Sequence, residues 1–155
     1  MDSYTLYKAL HVLGMFVAVT AFVGGGVLFR LVMRGGDTRA IAGAGTAVNV
    51  LTRVGGLAVV VALVFGFLTA ANGGWDLLAP WLVIAYAIVI ALAIIGPIEG
   101  GGYARIAAAA AAEGDGPPSE ALRRQMADPR LRLMTTASVV LYALVVLDMV
   151  IKPFR

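Results

Sequence analysis

The chain has 155 residues, of which 61% are hydrophobic and 14% are charged, and its formal net charge is +3. This composition is too apolar for a water-soluble domain of this size, and the length fits one domain. The chain contains no cysteine, which excludes disulfides, zinc–thiolate sites, iron–sulfur clusters and thiol nucleophiles. No basic block alternates with aromatic residues, so we do not expect nucleic-acid binding.

Four apolar stretches follow one another along the chain, and they predict membrane-spanning helices at about 6–30, 51–72, 77–98 and 132–152. A span needs about 20 mainly apolar residues to cross a hydrocarbon core of roughly 30 Å. Lipid cannot satisfy backbone polar groups, and continuous rather than alternating apolarity favours helices over a barrel. The sequence therefore predicts an all-α integral membrane protein, a four-helix bundle that forms one domain over 1–155.

The first span holds the single histidine of the chain, His11, in the segment LYKALHVLGMF. A neutral imidazole is a common metal ligand, and an ionisable group inside a membrane suggests a functional site. Met15 lies one turn further on, and a thioether beside an imidazole would suit Cu(I). The alternative is a histidine without a ligand, bonded to Tyr4, Tyr7 or a backbone carbonyl.

Small residues share the helical face of His11. Gly14, Ala18 and Gly25 recur on this face at helical spacing. Two interpretations are open: close packing against a neighbouring helix, which small residues permit in lipid, or space for a flat ligand beside the imidazole.

The arginines predict the orientation. They cluster in and beside the first and third loops, whereas the second loop, ANGGWDLLAP, has none. Cytoplasmic loops carry an excess of Lys and Arg, so we expect two arginine-rich cytoplasmic loops, both termini in the periplasm, and a place in a bacterial inner membrane. Within the loops, Asp37 and Asp128 are expected to cap helices, with Pro129 at a first helical position.

The third span is followed by IIGPIEGGGYARI, where Gly96 and Pro97 are expected to kink or end the helix. The Ala-rich segment beyond should be helical as far as GDGPPS. Glu99 is expected to meet the membrane interface and nearby arginines.

The fourth span carries an acid near its outer end, Asp148. Lys152 lies four residues on and is the favoured ion-pair partner. The alternative partner is His11, which topology places at a similar depth; the carboxylate would then fix the imidazole tautomer. Met149 follows Asp148 and could ligate haem iron opposite His11.

The opening segment, LYKALHVLGMFVAVTAFVGGGVLFR, resembles the first helix of the copper-resistance-protein-D-like membrane proteins, and the closing VVLDMVIKP resembles a subset of predicted integral membrane proteins of unknown function. The opening is also similar to that of the membrane protoporphyrinogen oxidase that binds haem b. This resemblance implies a four-helix fold, a haem-associated histidine at His11 and a haem-associated arginine at Arg30.

Three functions follow as hypotheses. The first is a redox or metal-handling protein that binds haem b or copper at the outer end of the bundle. The second is an accessory or assembly subunit without a cofactor, and the third, a small transporter, is the weakest because no inverted repeat is visible. The sequence does not identify a chemical reaction. The expected partners are the lipid bilayer and a homodimer or larger membrane complex, since a two-fold dimer could bring two copies of His11 together.

Overall fold

The computed structural model describes residues 2–152, and this part of the chain contains helices and no strand. The elements are α1 (Ser3–Val19), a π-helical turn (Thr20–Gly24), α2 (Gly25–Gly35), α3 (Thr38–Asn72), α4 (Pro80–Glu113), α5 (Glu120–Met126) and α6 (Pro129–Ile151). Four stretches are long and apolar enough to cross a membrane, namely Ser3–Gly35, Thr38–Asn72, Pro80–Glu113 and Glu120–Ile151. This finding confirms, by length and composition, the predicted number of spans.

The helices run past the apolar spans from which they were predicted. At 1.5 Å per residue, α3 and α4 are each about 50 Å long, against roughly 30 Å of hydrocarbon. The bundle has two distinct ends. We call the one with the junctions 35–38 and 113–129 the arginine-rich end, and the one with the loop 72–80, Trp75 and Trp81, the tryptophan end.

The helix caps agree with those predicted from the sequence. The side chain of Asp37 accepts from the backbone N–H of Arg39 at 2.9 Å, and Asp128 accepts from Arg130 at 2.8 Å, with Pro129 as the first helical residue. Both predicted caps are confirmed. α4 ends before Gly114, whose φ of 75° suits glycine.

Of the two outcomes expected at Gly96 and Pro97, an end of the helix is wrong, whereas the predicted helix through the Ala-rich segment as far as GDGPPS is confirmed. Pro97 lies inside α4, which continues to Glu113. Alanines and other strong helix formers follow Pro97, and in membrane helices neighbouring groups compensate for the missing proline N–H.

Close helix contacts occur where glycine faces a small or flexible residue. α1 packs mainly against α3, α3 against α4, and α4 against α6. A methyl group on Gly14 would lie 3.0 Å from the carbonyl oxygen of Ala58, and one on Gly25 would lie 3.4 Å from Leu51. At Gly14 and Gly25 the small face of the first span therefore packs closely against α3, whereas Ala18 of the same face lines a cavity.

The outer surface of the bundle is apolar. Phe16, Leu57, Ile94 and Val150 are each more than 60% exposed, at 69%, 68%, 61% and 75%. A water-soluble protein seldom exposes a continuous apolar surface of this kind, whereas helices that face lipid require it.

Candidate functional site

His11 bonds to the backbone of α3. Its Nδ1 lies 2.7 Å from the carbonyl oxygen of Ala62, so Nδ1–H donates, and in the neutral imidazole this tautomer leaves the lone pair on Nε2. Gly66 makes this contact possible, because a methyl group on Gly66 would lie 2.8 Å from Nδ1. Of the partners considered for His11, the structure forms the bond to a backbone carbonyl. Its role as a ligand stays a prediction.

Neither ion pair considered for Asp148 forms within residues 2–152. Asp148 is 7% exposed, and both of its carboxyl oxygens are buried without a hydrogen-bond partner. The Lys152 ammonium instead lies 4.2 Å from the ring centre of Trp75 and 5.2 Å from that of Trp81. The two indole rings meet edge to face at 5.6 Å, and their electron-rich faces attract the cation.

The other predicted ligands are dispersed. Met149 packs in the cluster of Trp81 and Ala70 at the tryptophan end. The Arg30 guanidinium donates to the carbonyl of Arg132 at 2.9 Å. His11 and Arg30 lie roughly 28 Å apart along one continuous helical stretch, so they do not form one compact site. In the described part of the chain, no three His, Asp or Glu side chains gather as a metal site would require.

A polar cluster lies between α4 and α6, where the sequence predicted an interfacial residue. Glu99 is 9% exposed. The Tyr103 hydroxyl lies 3.0 Å from its Oε1, and Ser138 donates to its Oε2 at 2.9 Å. The Tyr103 hydroxyl also lies 2.6 Å from Thr135 Oγ1. Hydroxyls of α4 and α6 hold the carboxyl inside the bundle, and no ion pair between Glu99 and an arginine forms among the described residues. The position of Glu99 at the membrane interface stays a prediction.

The Glu99 cluster, by which we mean Glu99, Tyr103, Thr135 and Ser138, borders a cavity of about 910 Å³ between the helices. Ligand sites in proteins have volumes of about 300–1,000 Å³ and combine apolar walls with a few polar groups. Among the described residues, Glu99 is the one charged residue in the lining, and residues of all four spans contribute. They include Met15, Phe22, Gly26, Val48, Thr52, Glu99, Tyr103, Ser138 and Tyr142.

Helical spacing was the signal that could have found this cluster. Glu99 and Tyr103 are four residues apart, while Thr135, Ser138 and Tyr142 recur at intervals of three and four. Such residues share one helical face, and α6 buries this face. Gly96 and Pro97 obscure this pattern, because they predict a kink or an end of the helix directly before Glu99.

Comparison with protein-family models, with curated proteins and with solved structures gives no match. The resemblance to copper-resistance-protein-D-like proteins and to the haem-binding oxidase stays a prediction.

Proposed function

We propose that this chain is a multi-pass membrane protein that binds a lipid-soluble small molecule in the cavity between its four spans. The Glu99 cluster recognises the polar part of the molecule, and the apolar walls hold its body. The observation that carries the proposal is a hydrogen-bonded carboxyl, 9% exposed, in the lining of a largely apolar cavity of about 910 Å³. Carboxyl groups inside a membrane are costly and mark functional sites.

The proposal includes an orientation. The arginine-rich end faces the cytoplasm of a bacterium, and both termini face the periplasm. The support is the arginine distribution, because Arg34, Arg39, Arg105, Arg123 and Arg130 all lie at that end. The Glu99 cluster then lies in the cytoplasmic half of the bundle, and His11 lies toward the periplasmic face.

Filling the cavity tests the binding function. A methyl group on Gly26 would lie 3.5 Å from both Glu99 Oε1 and the Tyr103 hydroxyl, whereas one on Gly24 would meet nothing within 4 Å. Gly26→Leu therefore adds volume beside the cluster, and Gly24→Leu is its matched control on the lipid side. We expect native mass spectrometry of mildly extracted protein to find a lipid-soluble molecule on the parent and on Gly24→Leu, and little on Gly26→Leu. Equal loading of all three proteins contradicts the proposal.

A second candidate function is ligation of haem b or copper by His11. One observation favours it: the bond from Nδ1–H to the Ala62 carbonyl leaves Nε2 free to coordinate, and this backbone bond is a usual way to orient a ligating imidazole. The fit is incomplete within one chain, because Met149 packs against the cluster of Ala70, Trp81 and Leu82 and His11 is not among the described residues that line the cavity.

An absorption spectrum and a metal analysis of the purified protein separate the two functions. Haem or copper on the parent, lost in a folded His11→Ala variant and kept in Glu99→Gln, would favour the second function. If the protein carries neither after expression with both supplied, this function is rejected. If the cavity test also fails, the remaining hypothesis is an accessory subunit without a ligand.

A further inference from the structure

The hydroxyls around Glu99 form a chain. Tyr103 lies between Glu99 Oε1, at 3.0 Å, and Thr135 Oγ1, at 2.6 Å. Thr135 Oγ1 in turn lies 3.0 Å from the carbonyl oxygen of Leu131. On the other side, Ser138 donates to Glu99 Oε2 at 2.9 Å. Each hydroxyl has one proton to donate, so the direction of the chain depends on the charge of Glu99.

In both charge states of Glu99, every hydroxyl of this hydrogen-bonded chain has a partner. When Glu99 is ionised, Tyr103 and Ser138 donate to its two oxygens, and Thr135 donates to Tyr103. When Glu99 is protonated, it donates to Tyr103, Tyr103 donates to Thr135, and Thr135 donates to the Leu131 carbonyl. Neither state leaves a buried hydroxyl without a partner, which would be costly. A gain or loss of one proton therefore requires only that two hydroxyls turn.

The ionised carboxylate of Glu99 forms no ion pair among the described residues. The ion pairs there are Arg39–Asp115 and Arg124–Glu120, both exposed. The charged and titratable groups that act on the cluster are Tyr103 itself, Arg30 from α2 and Tyr142 from α6. The cavity lining from α3 is uncharged, and its polar side chains are Thr46, Asn49 and Thr52. An unpaired buried carboxylate is strongly unfavourable.

We propose that Glu99 binds either a proton or a lipophilic cation, and that the two exclude each other. This inference rests on the proposed function and names its ligand class. When the cation enters, the O–H bond of Glu99 breaks, the proton goes to water, and the carboxylate pairs with the cation. The chain then reverses, so that Tyr103 donates to Glu99. The rings of Phe22 and Tyr142, stacked at 6.1 Å in the cavity lining, add cation–π attraction.

Proton release on binding tests the inference. The probe is tetraphenylphosphonium, a lipophilic cation without an exchangeable proton, and titration calorimetry in two buffers with different ionisation heats counts the protons. At a pH where Glu99 is protonated, we expect about one proton released per probe bound by the parent. Binding should tighten as the pH rises. We expect the same release from Asp148→Asn, a control for the other buried acid, and at least tenfold weaker binding by Glu99→Gln.

The Tyr103→Phe variant tests whether the hydrogen-bonded hydroxyls contribute to binding beyond the charge of Glu99. The variant removes a hydrogen bond from both charge states of Glu99, and the bond to the ionised carboxylate is the stronger of the two, so we expect the probe to bind about tenfold more weakly at fixed pH and the binding curve to move to higher pH. Binding by the parent without proton release, binding to Glu99→Gln as tight as to the parent, or no binding at any pH overturns the inference. Tetraphenylsilane, an uncharged molecule of the same shape, distinguishes this failure from failure of the proposed function. If it binds the parent and not Gly26→Leu while the cation test fails, the cavity function stands.

Discussion

His11 and Gly66 are a matched pair on facing helices. The imidazole lies where the side chain of any other residue at position 66 would be, because a methyl group on Gly66 would come within 2.8 Å of Nδ1 and 3.0 Å of Cε1. The same ring donates to the Ala62 carbonyl one turn away. The bond and the missing side chain together fix α1 against α3, so His11 stabilises the bundle whether or not it also ligates a metal.

Gly66→Ala is therefore expected to displace the imidazole and destabilise the protein. Overpacking of this kind costs about 1–3 kcal/mol. Gly56→Ala is the matched control, because it is in the same helix and its methyl group would meet nothing within 4 Å. That change should be neutral or stabilise the helix by about 0.5–1 kcal/mol. Thermal unfolding in detergent, followed by circular dichroism, measures both, and equal melting temperatures would contradict the account of this contact.

The two buried acids should respond oppositely to an apolar replacement. Asp148 has no hydrogen-bond partner within the described residues, and an unsatisfied buried polar group costs about 1–3 kcal/mol. We expect Asp148→Leu to raise the melting temperature. Glu99→Leu should lower it, because Ser138 and Tyr103 lose their shared acceptor.

A double-mutant cycle checks the environment of Asp148. Because the Lys152 ammonium lies over the tryptophan rings, we expect the effects of Asp148→Leu and Lys152→Met to be additive. A large coupling energy, or a fall in melting temperature for Asp148→Leu, would indicate that Asp148 has a partner that this structure does not form.

The orientation predicts the behaviour of reporter fusions. With the arginine-rich end in the cytoplasm, a C-terminal alkaline phosphatase should be active and a C-terminal fluorescent protein dark. A fusion in the segment 114–118 should give the opposite pattern, which controls for expression. An inactive phosphatase together with a fluorescent C-terminus would reverse the orientation and place the Glu99 cluster in the periplasmic half.

Much of the architecture could be predicted because it depends on local chemistry. The length of the apolar stretches predicts the spans. Asp37 and Asp128 cap helices by accepting from backbone N–H groups two residues further along the chain. The continuation of α4 through Pro97 was less predictable, because a proline breaks a helix in water more readily than in a bundle, where neighbouring groups compensate for the lost bond.

The candidate site was hidden because it depends on contacts between helices. Ser138 is 39 positions from Glu99 in the chain, and Thr135 is 32 from Tyr103. Nothing local to Glu99 indicates that hydroxyls of another helix will hold it. The reverse error occurred at Asp148, where Lys152 at helical spacing suggested an ion pair, but the αL backbone of Lys152 ends the helix and its ammonium lies over the tryptophans.

Photolabelling with a small lipid-soluble diazirine tests the central claim most directly, because its carbene inserts into whatever side chains the probe can reach. If a lipid-soluble molecule enters the cavity, peptide mapping should find label on the inward face of α6 at Ser138 and Tyr142, which are 7% and 9% exposed, as well as on lipid-facing residues such as Val150. Gly26→Leu should lose the inward label and keep the outer one, and Gly24→Leu should keep both. Label confined to lipid-facing residues of the parent would contradict the account.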